Sequence, residues 1–177
     1  AGCAVIVKPS EQAPLCGMLL ARALADAEIP SGLFNLLIGR GGECGRRLAE
    51  HPDVDMVSFT GSVAGGGAMA AAAAPTIKRI HQELGGKSPV VIFADANIDE
   101  AVDASIFGVF SLNGERCTAG SRILVQRDIY DTFVERYAAQ ASRVKVGLPS
   151  DPSTEVGALV HPEHYDKVMS YVEIDKE

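Results

Sequence analysis

The chain has 177 residues, of which 47% are hydrophobic and 22% charged: enough apolar material for a packed core, and too much for a disordered segment. A formal net charge of −7, with basic residues scattered as at Lys78-Arg79 and Arg143-Val144-Lys145, argues against a nucleic-acid surface; those side chains read as solvated faces. By length the chain is one domain, or parts of two.

Taken in order, Cys3 to Val7 reads as a buried strand within the apolar opening run Ala1-Gly2-Cys3-Ala4-Val5-Ile6-Val7. Gln12 to Glu28 reads as a helix with Leu15, Leu19, Leu20 and Leu24 on one face. Phe34 to Ile38 is a strand, Glu43 to Glu50 a short helix and Val54 to Phe59 a strand. A turn at Thr60-Gly61-Ser62 then leads into an alanine-rich helix ending near Pro75, followed by a strand from Ile77 to Leu84. Strands continuous in Val, Ile and Leu, separated by helices, predict a parallel sheet covered on both sides. A domain boundary is expected close to Gly85. Beyond it Val90 to Phe93 is a strand, and Asp99 opens a helix carrying Val102, Ile106, Val109 and Phe110. Ser121 to Gln126 is a strand, and Asp128 is expected to cap a helix with Ile129, Phe133, Val134, Tyr137 and Ala141 inward. A polar loop from Pro149 to Thr154 precedes a last helix near His161.

No apolar run reaches the length of a membrane span, and no secretory leader opens the chain. The four cysteines, at 3, 16, 44 and 117, show neither metal-ligand nor redox-motif spacing. A reducing, cytoplasmic location is therefore expected. His161 and His164 have no third ligand close in sequence and read as a polar helix start, so no metal site is expected. The apolar opening and the unfinished helix at Tyr171-Val172-Glu173-Ile174 lead us to expect truncation at both ends.

Two residues carry the chemistry. A lone cysteine is most often a small buried hydrophobe. Cys117, however, lies in Asn113-Gly114-Glu115-Arg116-Cys117-Thr118-Ala119-Gly120, a polar loop flanked by glycines, with a cation beside it that favours thiolate. Its small neighbours admit a carbonyl, and local backbone N–H groups can hold an oxyanion. Glu83 ends an apolar strand before Gly85-Gly86, where desolvation would raise its pKa toward that of a general base; a surface Glu ending a strand is the plainer alternative. Three segments suit a dinucleotide: Lys8-Pro9-Ser10-Glu11 after a strand, Thr60-Gly61-Ser62 before a helix, and the glycine-rich Gly39-Arg40-Gly41-Gly42-Glu43-Cys44-Gly45. In the last, the third glycine falls one residue late for G-x-G-x-x-G. Singly, each is as well explained by a cap or a loop glycine.

Together, Lys8-Pro9-Ser10-Glu11, Phe59-Thr60-Gly61-Ser62, Glu83-Leu84-Gly85-Gly86-Lys87 and Gly114-Glu115-Arg116-Cys117 resemble the ordered motifs of the aldehyde dehydrogenase superfamily, including the 34-residue step from Glu83 to Cys117. The stretch from Asn113 to Arg122 is similar to members that act on 5-carboxymethyl-2-hydroxymuconate semialdehyde. The resemblance implies residues 1–85 as the C-terminal part of an NAD-binding domain, with a parallel Rossmann-like sheet. Residues 86–177 would be the N-terminal part of a second α/β, catalytic domain. It implies aldehyde oxidation to a carboxylic acid, with Cys117 as nucleophile, its backbone N–H on the oxyanion, and Glu83 activating water. NAD, with NADP possible, would meet Lys8 and Glu11 at the adenosine ribose, Gly41 at the adenosine, Gly61 and Ser62 at the pyrophosphate, and the Leu84 backbone at the nicotinamide. Ser10 and Thr60 belong to the same binding set. A homodimer or homotetramer is implied, with a small-molecule aldehyde as partner and neither nucleic acid nor membrane.

The chain departs from the family pattern in places. Gln82 stands where an apolar residue is usual, Leu112-Asn113 replaces Asn-Gln, and Val63-Ala64-Gly65-Gly66-Gly67 is a loose helix start. The family's oxyanion asparagine, its nicotinamide-ribose glutamate and its oligomerisation strands fall outside the chain. Two rival readings follow: an acylating relative that passes the thioester to coenzyme A, disfavoured by Glu83, and a non-catalytic NAD-binding member or inert fragment, disfavoured by retention of Glu83 and Cys117 together.

Overall fold

The computed structural model describes residues 2–174 and residue 176; Ala1, the start of the apolar opening run, lies outside them. The chain divides into two compact units, Ala1–Leu84 and Gly85–Glu177. Within each, a strand runs into a helix and the next strand returns parallel to the first. Parallel neighbours require such a crossover.

The first unit holds two of these repeats. Strand β1 (Val5–Val7) is short and β-branched. Helix α1 (Leu15–Asp26) follows, and β2 (Phe34–Leu36) returns with Val5 opposite Phe34. A π turn over Gly41–Gly45 winds directly into α2 (Arg46–Glu50). Strand β3 (Met56–Gly61) precedes α3 (Val63–Ala73), and β4 (Arg79–Leu84) pairs with β3 from Met56↔Arg79 to Gly61↔Leu84. Ser62 caps α3 by accepting the Gly65 N–H at 3.1 Å, and a 3-10 turn over Ala74–Thr76, containing Pro75, ends it. Ile77 then takes a left-handed conformation (φ 51°), so β4 starts at Arg79 and not at Ile77 as expected.

The second unit repeats the pattern once. Strand β5 (Pro89–Ile92), α4 (Ile98–Phe110) and β6 (Arg122–Val125) form it, with Pro89 opposite Arg122. Asn97, not Asp99, opens α4: its Oδ1 accepts the Asp99 and Glu100 N–H groups, and both acids favour the positive end of the helix. Helix α5 (Tyr130–Ala141) packs on α4. Its expected cap is overturned. Asp128 lies in a 3-10 turn over Arg127–Ile129, and its carboxylate accepts from Gln126 Nε2. Ile92, Val102 and Phe133 form the buried centre of this unit, bordered by Val90, Ile106, Ile123 and Tyr137. The segment between Val146 and Val156 closes on itself, with the Gly147 N–H on Val156 O and the Val156 N–H on Lys145 O, before α6 (Pro162–Ile174). His161 starts α6 by accepting the His164 N–H on Nδ1.

The α/β class is as the sequence indicates, but the described strands form three separate parallel pairs, not one sheet covered on both faces. Val5 and Ile6 are 45% and 48% exposed, and Leu15, Leu19 and Leu20 of α1 and Val134 of α5 are also exposed. A two-stranded pair has two edges and two faces, and one crossover helix covers a single face. The accessible surface is 12852 Å², whereas two independent compact domains of half the mass would together expose about 9,900 Å².

This chain alone should therefore associate through its open edges and apolar faces. We expect strong binding of a hydrophobic dye and growth of light scattering with concentration. A monodisperse chain that does not bind the dye would contradict the expectation.

Candidate active site

The first cluster sits at the carboxyl end of β1. Lys8 Nζ donates to Pro9 O at 2.7 Å and Gly39 O at 2.9 Å, and meets Glu11 Oε2 at 3.3 Å. The other carboxylate oxygen of Glu11 accepts the Gly41 N–H at 3.3 Å. Glu11's own backbone N–H, that of Gly41 and the Lys8 ammonium together hold its carboxyl below the ordinary carboxylate range, so it is anionic at neutral pH. Ser10 Oγ accepts the Gln12 N–H, turning the chain toward α1. The structure thus brings Lys8, Glu11 and Gly41 together across 33 positions of sequence, with Ser10 in the turn between the first two. Gly41 is not in an open glycine loop; it begins the π turn. Upstream of it, Gly39 leaves room for the Cys44 thiol, since a Cβ there would lie 2.3 Å from Sγ.

The second cluster lies where β3 and β4 end side by side. Register places Thr60 opposite Glu83 and Gly61 opposite Leu84, with the Ser62-capped start of α3 next in the chain. Thr60 and Gly61 thus belong to the strand and not to a turn. Val57, Phe59, Gln82 and Leu84 lie toward α3; Ser58, Thr60, His81 and Glu83 alternate onto the opposite face. On that face Ser58 Oγ lies 3.3 Å from His81 Nδ1, and His81 Nε2 lies 3.4 Å from Glu83 Oε1. Glu83, expected to be poorly solvated, has a side chain 61% exposed, on the face of the first unit's β3–β4 pair opposite α3.

Two departures from the family pattern account for each other here. Gln82 Nε2 donates to the Gly66 carbonyl at 2.6 Å. Gly66 is buried, and a Cβ on it would lie 2.7 Å from Leu84 Cδ2; a Cβ on Gly65 would lie 2.9 Å from Phe59 Cζ. The glycines let α3 settle onto the strands, and the amide of Gln82 fastens it there.

Cys117 lies in the second unit, exposed in a turn after α4. Leu112, Asn113 and Gly114 are all left-handed, at φ 51°, 58° and 70°. For the two non-glycine residues this costs about 1–3 kcal/mol each. Asn113 Oδ1 accepts the Gly157 N–H at 3.1 Å, and its Nδ2 donates to Ala158 O at 2.8 Å. Glu115 Oε1 lies 3.0 Å from His164 Nε2. At the far end of the loop the Gly120 N–H donates to Gly108 O. The Arg116 guanidinium, expected to serve the thiolate, lies over the Phe107 ring at 5.1 Å. Lys87, Asn113, Glu115, His161 and His164 border a cavity of about 450 Å³ beside this loop. Sequence reasoning missed Gln82, Asn113 and His164 as site-building residues. For Asn113 a signal was available: asparagine before glycine at a helix end tolerates left-handed backbone.

The aldehyde dehydrogenase family model matches residues 1–177. The chain belongs to the aldehyde dehydrogenase family. It is 47% identical over 173 residues to 5-carboxymethyl-2-hydroxymuconate semialdehyde dehydrogenase of Escherichia coli, a match covering 98% of this chain and 36% of the relative. Among solved structures, HpcC of Thermus thermophilus superposes with a TM-score of 0.95 at 46% identity, covering 98% of this chain and 34% of that one. Betaine aldehyde dehydrogenase of Staphylococcus aureus in complex with NAD+ superposes with a TM-score of 0.96 at 38% identity, covering 99% and 35%. The chain therefore spans about a third of the length of these relatives. Among the described residues no three His, Cys, Asp or Glu side chains are grouped to hold a metal, and no helix is long and apolar enough to cross a membrane.

The seating of α3 gives a direct expectation. In the whole protein, Gly66→Ala should lose the roughly 1 kcal/mol that alanine would otherwise add to a helix, because the new methyl displaces the Leu84 side chain. Gln82→Leu should cost about 1 kcal/mol, since the Gly66 carbonyl loses only one partner. Urea unfolding checks both, and a Gly66→Ala variant more stable than the unmodified protein by about the full 1 kcal/mol of helix propensity would refute the packing.

Proposed function

We propose that the whole protein to which this chain belongs is an NAD-dependent aldehyde dehydrogenase that oxidises an aldehyde, of the semialdehyde kind named for its Escherichia coli relative, to the carboxylic acid. The observation that carries this reading is the register at the β3–β4 end, which sets Thr60-Gly61 beside Glu83-Leu84 ahead of the capped helix α3. Residues 1–85 serve as part of the NAD-binding domain and residues 86–177 as part of the catalytic domain. The protein works in the cytoplasm as a homodimer or homotetramer.

The residues present suit the cofactor. The anionic, accessible carboxylate of Glu11 can accept from ribose hydroxyls, beside Lys8, Ser10 and Gly41. Thr60, Gly61 and Ser62 lead into the free N–H groups of α3, which suit a pyrophosphate. The Leu84 backbone would face the nicotinamide. When bound, NAD supplies the two-electron acceptor.

The thiolate of Cys117 attacks the aldehyde carbon, forming the C–S bond, and its backbone N–H takes part of the charge on oxygen. Loss of hydride from that carbon restores the carbonyl as a thioester. The Glu83 carboxylate then removes a proton from water as the water oxygen attacks the thioester. The C–S bond breaks, releasing the acid and returning the thiolate. Glu83 supports hydrolysis over transfer to coenzyme A.

Cys117→Ala is expected to bring aldehyde oxidation to the detection limit while NAD affinity stays close to that of the unmodified protein. Substantial turnover by that variant would sink the assignment. Glu83→Gln should keep an initial burst of NADH and lose steady-state turnover, because it blocks the second half of the reaction; an unchanged steady state would assign the water to another group.

Cofactor choice follows from the first cluster. An ammonium has three donors, and those of Lys8 are directed to Pro9 O, Gly39 O and Glu11, leaving none for a 2′-phosphate that Glu11 already repels. We expect kcat/KM to favour NAD over NADP, and Glu11→Gln to narrow the ratio by about tenfold, or ~1.4 kcal/mol. Preference for NADP in the unmodified protein would overturn this.

A further inference from the structure

The loop that carries Cys117 is fixed at two ends by different means. At its far end the Gly120 N–H donates to Gly108 O in α4, and Ala119 and Gly120 are buried. A Cβ on Gly120 would lie 2.6 Å from Val90 Cγ2, so this end is pressed against β5. At its near end the chain leaves α4 through the three left-handed residues Leu112, Asn113 and Gly114. The run has one backbone bond of its own, from the Glu115 N–H to Leu112 O, and its Leu112 is in a conformation that a branched side chain disfavours.

The near end is held from 44 residues downstream. Both ends of the Asn113 amide are engaged, one on the Gly157 N–H and one on Ala158 O, and the Glu115–His164 contact lies two residues further along the loop. The segment receiving these bonds is itself tied: the Val156 N–H donates to Lys145 O, the Gly147 N–H donates to Val156 O, and the Glu155 carboxylate accepts the Lys145 N–H at 2.9 Å. Asparagine suits this position on two counts, since it tolerates left-handed backbone and offers a donor and an acceptor on one planar group.

We infer that Asn113 is a positioning residue for the nucleophile, fastening the Cys117 loop to the 157–164 segment, with Glu115–His164 as a second tie. This rests on the role of Cys117 proposed above. The anchor acts through Cys117, by setting where the sulfur stands relative to the substrate carbon.

The test uses the whole protein and three variants. Asn113→Gly keeps the left-handed backbone and loses both bonds. Asn113→Ala loses both and adds strain, whereas Asn113→Asp keeps the Oδ1 acceptor. A misplaced reacting atom is costly, so the NADH burst should slow by about 10- to 100-fold in the glycine and alanine variants. NAD affinity, set elsewhere, should stay within about twofold. Asn113→Asp, whose second carboxylate oxygen would face Ala158 O where the amide now donates, should slow the burst as well. The rate of Cys117 alkylation by iodoacetamide relative to Cys3, read by mass spectrometry, should change in the same variants. An unaltered burst and an unaltered alkylation ratio in Asn113→Gly would overturn the proposal. If that variant does not fold, Asn113→Ala decides, an unaltered burst overturning the anchor; His164→Ala, which leaves the left-handed turn and both Asn113 bonds intact, reads the second tie by itself. Absence of NADH production by the unmodified whole protein would instead count against the dehydrogenase reading, and the alkylation ratio would still report on the anchor.

Discussion

Helix α3 lies as close as it does on the β3–β4 pair because two of its first four residues have no side chain. Phe59 fills the space at Gly65 and Leu84 the space at Gly66, both so close that a methyl group there would displace the side chain. Everything at that end of the first unit follows from this approach. Ser62 can cap the helix directly after the strand, Gln82 can reach a helix carbonyl, and the free N–H groups of α3 open where Thr60-Gly61 and Glu83-Leu84 end together. The helix has weak amphipathic patterning of its own, being composed of Val, Ala, Gly and Met. Its placement is set by shape and not by an apolar stripe.

The Cys117 loop is built on the opposite principle. There the local backbone is unfavourable, and side-chain bonds to a distant segment compensate for it. The contrast matters for how each half tolerates change. A site seated by close packing fails when bulk is added, whereas one seated by an amide fails when polar atoms are removed.

Much of the fold was legible in the residues themselves. Apolar runs such as Val5-Ile6-Val7 and Val90-Val91-Ile92 located the strands, and the alternation with helices gave their parallel sense. Element ends were less legible, because they depend on single backbone states and single side-chain bonds. Left-handed Ile77 delays β4, Asn97 takes the opening of α4 from Asp99, and Asp128 is drawn to Gln126 instead of capping α5. Burial was least legible. Leu15 and Leu19 form an apolar face by spacing, yet spacing does not say what lies against it, and in this chain both remain exposed. At the candidate site, motif residues could be picked out one by one, as with Lys8, Glu11 and Gly41. The partners of Asn113 could not, since nothing local to residue 113 points to residues 157 and 158.

The turn after β2 carries a consequence for how such sequences drift. With Sγ of Cys44 occupying the space beside Gly39, an alanine at 39 is admissible only once residue 44 has been shortened or its thiol has rotated away. The reverse order is open, since a smaller residue at 44 leaves Gly39 undisturbed. Substitutions at these two positions should therefore accumulate in a preferred sequence, and a comparison across descendants would register them as a correlated pair although neither residue touches a substrate.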